Sequence, residues 1–230
     1  MPRRRTVTRL CVWLWIAASA AAWAQTRSVS DMIAGLSADD PAARARAACD
    51  IRAEGDEAAN AIAPLVRLLG DASPVERSVC RQHWRMGSEE LTTPGEQAAA
   101  ALVSVGSRAF DPVVGALHQP QWVARRNAAW ALGALDDPRA VGPLLKALDD
   151  AEPGVRAQVA WALGALDDPA ALDRLTLALK DADARVREQA AWALGAIGDS
   201  RATAGLIVAL KDIDADVRRQ AAWALGAIGR

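Results

Sequence analysis

The chain has 230 residues, with 27 lysines and arginines against 28 acids, no tyrosine and a single phenylalanine, Phe110. That even balance, with a hydrophobic fraction of 52%, excludes a disordered tail and leaves one ordered body or an extended array. Leucine, valine and alanine must build the interior, and a core so poor in aromatic residues favours helices.

The opening residues form a separate unit. MPRRRTVTRL carries Arg3, Arg4, Arg5 and Arg9 and no acid; the apolar run LCVWLWIAASAAA follows, then Ala22-Trp23-Ala24 before Gln25. This is the three-part order of a secretory signal peptide, residues 1–24, with cleavage expected after Ala24. An apolar run of about 13 residues falls short of the roughly 20 that a membrane-spanning helix needs. The arginines lack a twin-arginine context and Cys11 lacks a lipoprotein cleavage site, so general export to the periplasm or the exterior is the expectation. Removal of this segment takes away four arginines and no acids, which leaves 23 basic against 28 acidic residues and a formal charge of −5. Nothing in that balance suggests a nucleic-acid partner, and no later segment is apolar enough to cross a membrane.

The rest of the chain repeats. Trp130, Trp161, Trp192 and Trp223 are spaced by 31 residues, as are Arg125, Arg156, Arg187 and Arg218, and Leu117, Leu148, Leu179 and Leu210. A constant period across four units is the mark of a solenoid. One unit reads DDPRAVGPLLKALDDAEPGVRAQVAWALGAL. Asp137 before Pro138 predicts a helix start, and Val141, Leu144, Leu145 and Leu148 supply its apolar face. Asp149 to Gly154 makes the turn, and Val155 to Leu166 forms a second helix. Residues 120–230 are therefore regular 31-residue units.

Residues 30–119 follow the same frame less regularly. Leu36, Arg44 and Cys49 have the spacing of Leu148, Arg156 and Trp161, and Pro64 to Leu69 reads as another first helix. After Arg77 the pattern breaks, and residues 84–97 read as an inserted loop before Ala98 to Val105 resumes a helix. The count is about six units. No polar cap follows Trp223, so the last unit reads as a natural exposed end or the edge of a longer chain.

The phrases DADARVREQAAWALG and DIDADVRRQAAWALG match D-x-x-V-R-x-x-A-A-x-A-L-G and resemble the HEAT-like repeats of the phycobilisome-lyase type. The resemblance implies an all-α, right-handed α-solenoid of stacked helical hairpins with the second helices on the concave side. Members of that family are mostly scaffolds that bind other proteins, and a few act in bilin attachment or peptide-lysine hydroxylation.

A helix turns about 100° per residue, which places the repeated side chains. With Val155 at 0°, Val159, Leu163, Leu166 and Ala162 fall within about 80° of it, and Trp161 falls at about 240°. The tryptophans therefore lie away from the buried stripe, in company with Arg126, Asn127, Gln158, Glu188, Gln189, Arg219 and Gln220. Two roles remain open for Trp130, Trp161, Trp192 and Trp223. They line a concave groove that binds an unidentified protein or peptide, or they are copied residues that pack one repeat on the next, in a purely structural module.

Arg125, Arg156, Arg187 and Arg218 lie beside the core stripe, near Asp149, Asp150, Asp181, Asp212, Asp168 and Asp199. A repeated Arg–Asp bridge tying hairpin to hairpin is expected. Cys11 leaves with the signal, and Cys49 and Cys80 remain as an even pair, placed near the middle of second helices in neighbouring units. Export makes a disulfide between them the expectation, with buried free thiols as the alternative.

Chemistry is sparse. His83 and His118 stand apart from one another and from any metal-ligand spacing, and no nucleophile elbow or glycine-rich phosphate loop occurs. The hydroxylase branch of the resembling family holds iron with paired His-Glu motifs, which this chain lacks. Cys80, His83 and Trp84 are the least repetitive chemical groups present. The expectation is a non-enzymatic scaffold with no cofactor and no metal, a bilin-lyase-like accessory role surviving only through the resemblance.

Overall fold

The structure, a computed structural model, describes residues 28–80 and 91–229. The expected signal segment 1–24, together with His83 and Trp84, lies outside the described residues. Six helical hairpins follow one another, as the period requires. Their helices are α1 Val29–Gly35 with α2 Pro41–Glu54, α3 Ile62–Leu68 with α4 Pro94–Val105, and α5 Phe110–Ala116 with α6 Trp122–Ala134. The regular units continue as α7 Val141–Ala147 with α8 Pro153–Ala165, α9 Leu172–Ala178 with α10 Ala184–Ile197, and α11 Thr203–Ala209 with α12 Ala215–Ile228.

The first helix of each regular unit is short because it is entered through a tight 3-10 turn. Asp137, Asp168 and Asp199 cap those turns, at Pro138–Ala140, Pro169–Ala171 and Ser200–Ala202, by accepting the backbone N–H two residues on. Five of the six second helices begin at an aspartate or proline signal, and α6, α8 and α10 end in a left-handed residue. Asp136 and Asp167 hold that conformation at φ 53° and 51°, and Gly198 holds it at φ 70°. Aspartate tolerates this geometry better than most side chains.

Two regions differ from the sequence expectation. The helix after the insertion begins at Pro94 rather than Ala98, because Thr93 and Glu96 form a capping box that recruits the preceding turn. The insertion also falls between the two helices of the second hairpin, where Val75–Glu76 (β1) pairs antiparallel with Leu91–Thr92 (β2).

The core runs without interruption through all six hairpins. Leu132, Leu163 and Leu194 from second helices, and Leu144, Leu175 and Leu206 from first helices, are fully buried at the repeat period. Second helices stack with almost nothing between them. A Cβ added to Gly164 would sit 2.6 Å from the Cα of Ala193, and one on Gly195 equally close to Ala224. Between first helices α9 and α11, by contrast, a cleft of about 540 Å³ opens beside Thr176, Leu179, Gly205, Ile207 and Val208. Contact that is tight between second helices and open at this seam between first helices is the asymmetry that sets second helices on the inner side of a bent array, the side that the family resemblance implies.

Gly164→Ala is expected to cost about 1–3 kcal/mol, since the new methyl would meet backbone rather than a movable side chain. Gly142→Ala, an exposed position in α7 with open space around an added Cβ, is expected to stabilise by about 0.5–1 kcal/mol. Urea denaturation of the two variants checks the pair.

Candidate binding groove and its supporting ladder

The inner face of the solenoid is built from one arc of each second helix. Trp130, Trp161 and Trp192 are half-buried against the core, while Trp223 is 44% exposed. Each of the last three indoles lies over a glycine of the preceding second helix. Added Cβ atoms on Gly133, Gly164 and Gly195 would stand 3.1, 2.8 and 2.8 Å from Cζ3 of Trp161, Trp192 and Trp223. Trp161 and Trp192 also stack, with ring centroids 6.3 Å apart and planes 13° from parallel. One face of the indole row therefore closes the seams between repeats, and the remaining edge faces outward.

The residues expected beside the tryptophans divide. Gln158, Glu188, Gln189 and Gln220 are half-buried, and Arg219 is exposed and paired with Asp216. Arg126 pairs with Glu96 at 3.2 Å and lies over the ring of Trp122 at 5.6 Å. Asn127 is a correction. It is 3% exposed, and its amide donates to the carbonyl of Leu69 at 2.9 Å, so it serves the seam between the second and third hairpins rather than a partner. Trp122 was missed because it has no copy at the 31-residue period. It is 42% exposed and covers Gly154 of the next hairpin, extending the apolar strip.

Behind the groove runs a ladder of ion pairs. Arg125 holds Asp150 with two hydrogen bonds, at 2.6 and 2.9 Å; Arg156 holds Asp181 and Arg187 holds Asp212 in the same way. Each arginine also donates to two carbonyls of its own turn, as Arg156 does to Asp150 and Ala151. Each aspartate in turn accepts the backbone N–H two residues further on. The partner is thus an aspartate in the turn of the next hairpin, Asp150, Asp181 or Asp212, while Asp168 and Asp199 are spent on capping. Arg44 makes the corresponding bond to Asp71. Arg218 reaches the carbonyls of Asp212 and Ile213 and, among the described residues, meets no carboxylate.

One rung has a different construction. Gly95 stands seven residues before buried Leu102, where the regular units place their arginine seven residues before Leu132, Leu163 and Leu194. A Cβ there would meet the carbonyl oxygens of Leu69 and Asp71 at 2.5 and 2.9 Å. Neutral amides take over this seam: Asn127 donates to Leu69, and Gln119 donates to Val66 at 3.2 Å.

Cys49 sits in α2 as expected, but Cys80 does not lie in a helix. It follows the 3-10 turn Arg77–Val79 within the insertion, and the two Cα atoms are 5.8 Å apart, a separation a disulfide accommodates. His118 is exposed, and no group of metal-ligating side chains occurs among the described residues. No described helix is long and apolar enough to cross a membrane.

The family model for HEAT repeats matches residues 96–151, 110–184 and 173–230, more than half of the chain. The chain is a HEAT-repeat protein. Among solved structures this HEAT-repeat chain is similar to the complex of CpcE and CpcF of phycocyanin lyase from Nostoc sp. PCC7120. The identity there is 26%, over 89% of this chain and 78% of that one, with a TM-score of 0.55. A designed armadillo repeat protein in complex with the peptide (KR)4 shares 22% identity over 88% of this chain and all of its own length, at a TM-score of 0.54. Kap95p, solved with RanGDP, shares 17% over 86% of this chain but 30% of its own, at a TM-score of 0.62. The last two likenesses concern the fold alone. No curated protein sequence matches the HEAT-repeat chain.

Hydrogen bonding from Arg125, Arg156 and Arg187 holds the carboxyls of Asp150, Asp181 and Asp212 below their ordinary value of 3.8. Burial pulls Asp71 upward, but Arg44 and Ser73 outweigh it and leave that carboxyl lowered as well. A lowered folded-state pKa gives stability that is present above the unfolded value and lost as pH falls through the folded one. Thermal melts are expected to show the array weakening below about pH 4, with no loss from these groups between pH 5 and 8. Arg156→Ala or Arg187→Ala should cost about 1.5–3 kcal/mol, and Arg218→Ala clearly less, measured by urea denaturation at neutral pH.

Proposed function

We propose that this HEAT-repeat chain is an exported, non-enzymatic scaffold that binds a protein or peptide segment along its inner face. The observation that carries the reading is the row of indoles, half-buried at Trp130, Trp161 and Trp192 and 44% exposed at Trp223. It runs beside the half-buried amides of Gln158, Gln189 and Gln220, unpaired among the described residues, and is extended by Trp122. Tryptophan and arginine are common interface anchors, and a contiguous apolar strip marks a contact site. The signal-like start of the sequence supports export, and the isolated histidines support a role without chemistry. We also infer a disulfide between Cys49 and Cys80, which closes the insertion onto the first hairpin in an oxidising compartment.

A purely structural role is the second reading, favoured by the glycine seats under the indoles. The likeness to phycocyanin lyase leaves a bilin-related accessory role as the family alternative.

Capture experiments with the mature chain separate the two main readings. The Trp130, Trp161, Trp192 and Trp223 to alanine variant is expected to lose partners retained by the wild type while keeping its helicity. Equal capture by both proteins would refute the groove, and unfolding of the variant would favour packing. Trp223→Ala alone, at the most exposed of the four indoles, tests binding with the least risk to the fold. Thiol titration of the exported protein should find no free thiol without reductant and two with it; two free thiols from the start would sink the disulfide.

A further inference from the structure

The groove reading leaves the shape of the occupant open, and three features of the inner face narrow it. The first is a row of amides. Gln158, Gln189 and Gln220 recur at the repeat period, three residues before Trp161, Trp192 and Trp223. All three are half-buried, and their side chains have no hydrogen-bond partner among the described residues, unlike Asn127 in the same position of the third hairpin. A side-chain amide offers both donors and an acceptor, which is the complement of a peptide group.

The second feature is spacing. Stacked helices lie about 8–10 Å apart, and an extended chain advances about 3.3 Å per residue. Amides one repeat apart therefore meet about every third residue of an extended, polyproline II-like segment, whose roughly three residues per turn at about 3.1 Å rise present those main-chain groups on one side. A helical occupant rises only about 1.5 Å per residue and has already spent its main-chain groups internally.

The third is charge. Arg126 and Arg219, which occupy one position of this face, are paired with Glu96 and Asp216. Glu188, at the same position between them, has no cationic partner among the described residues and is half-buried four residues before Trp192. Arg185, one turn earlier, is exposed and more strongly screened by solvent. A lysine or arginine laid over the indole would bury its alkyl stem there and bring its charge to the Glu188 carboxylate.

We propose that the inner face takes an extended peptide segment, held through its main chain by Gln158, Gln189 and Gln220, with a basic side chain over Trp192 directed at Glu188. This rests on the groove reading above and specifies its occupant.

Fluorescence anisotropy with the full mature chain tests it. The probe is a labelled, end-blocked peptide (Ser-Leu-Lys)3, compared with its glutamate counterpart (Ser-Leu-Glu)3 and with a version methylated on its backbone nitrogens. The lysine probe is expected to bind, and the glutamate and methylated probes to bind at least about fivefold more weakly. Gln158→Leu with Gln189→Leu should weaken the lysine probe by about tenfold, from roughly threefold for each lost hydrogen bond. Glu188→Gln should remove most of the preference for lysine over glutamate. Gln158→Ala with Gln189→Ala repeats the measurement with smaller side chains, and the methylated probe needs no variant at all. Equal binding of the methylated probe, or full affinity in both glutamine variants, overturns main-chain recognition. If Trp161→Ala still weakens the probe in that case, the groove itself stands. Unchanged affinity in Trp161→Ala, or no binding of any probe at millimolar concentration, overturns both. Tighter binding of the glutamate probe overturns the charge assignment.

Discussion

The contact on which the array depends is the approach of one second helix to the next, where glycine faces alanine backbone. At Gly164 and Gly195 there is no room even for a methyl group, so the helices touch main chain to main chain over that turn. Such closeness maximises dispersion contact between rigid elements and fixes their separation without a side chain to adjust. It also has a geometric consequence. A helix pair that meets this closely leaves a shallow gutter beside the contact, and the indole of the following repeat fills it.

The Arg–Asp ladder solves a different problem at the end of the same helices. Close-packed second helices bring their N-terminal turns together, and those turns carry carbonyls and carboxylates that would otherwise compete for water. One guanidinium per seam satisfies two carbonyls of its own turn and a carboxylate of the next. Planar, multiply bonded arginine suits this where lysine would not. Because each aspartate is also tied to the backbone of its own turn, the bonds run continuously from Arg125 to Arg218. Stability in such an array is largely a sum of nearest-neighbour terms, so each rung matters locally.

Much of this was legible in the sequence because repetition averages out local ambiguity. The period located the hairpins, and the helical angle separated the tryptophans from the core stripe. What the angle cannot give is the side-chain rotamer. Trp161 leaves its helix on the open side and then leans back onto Gly133, so it is half-buried where the wheel suggested a free surface. Asn127 failed for a related reason. Its position matches Gln158, but its neighbour in the preceding hairpin is glycine at residue 95, and the shorter amide turns inward to the carbonyl left open there. Cys80 was misplaced because a repeat frame extended through an insertion assigns helix to residues that the insertion has displaced. Trp122 had no signal that periodicity could detect. Its position alongside Gly154 depends on which residues happen to be small in the following hairpin.

The tryptophan row thus answers to two demands that differ in what they require. Sealing the gutter over glycine needs a flat apolar side chain with enough reach to cross from one helix to the next, a demand that many proteins meet with leucine or methionine. Tryptophan exceeds that demand. Its bicyclic ring covers the glycine with one portion and leaves another portion, with the indole N–H, beyond the seam. A row of leucines would give the same packing with a smooth surface and no polar handle. The glutamines beside the indoles point the same way: a solenoid that needed only solubility on that face would be served by fully exposed charges, such as those on its turns. Gln158, Gln189 and Gln220 are half-buried, yet no buried side-chain polar atom among the described residues lacks a partner, so their amides still reach water. An amide that keeps its water is free to exchange it for a peptide group, which is what the proposed groove requires.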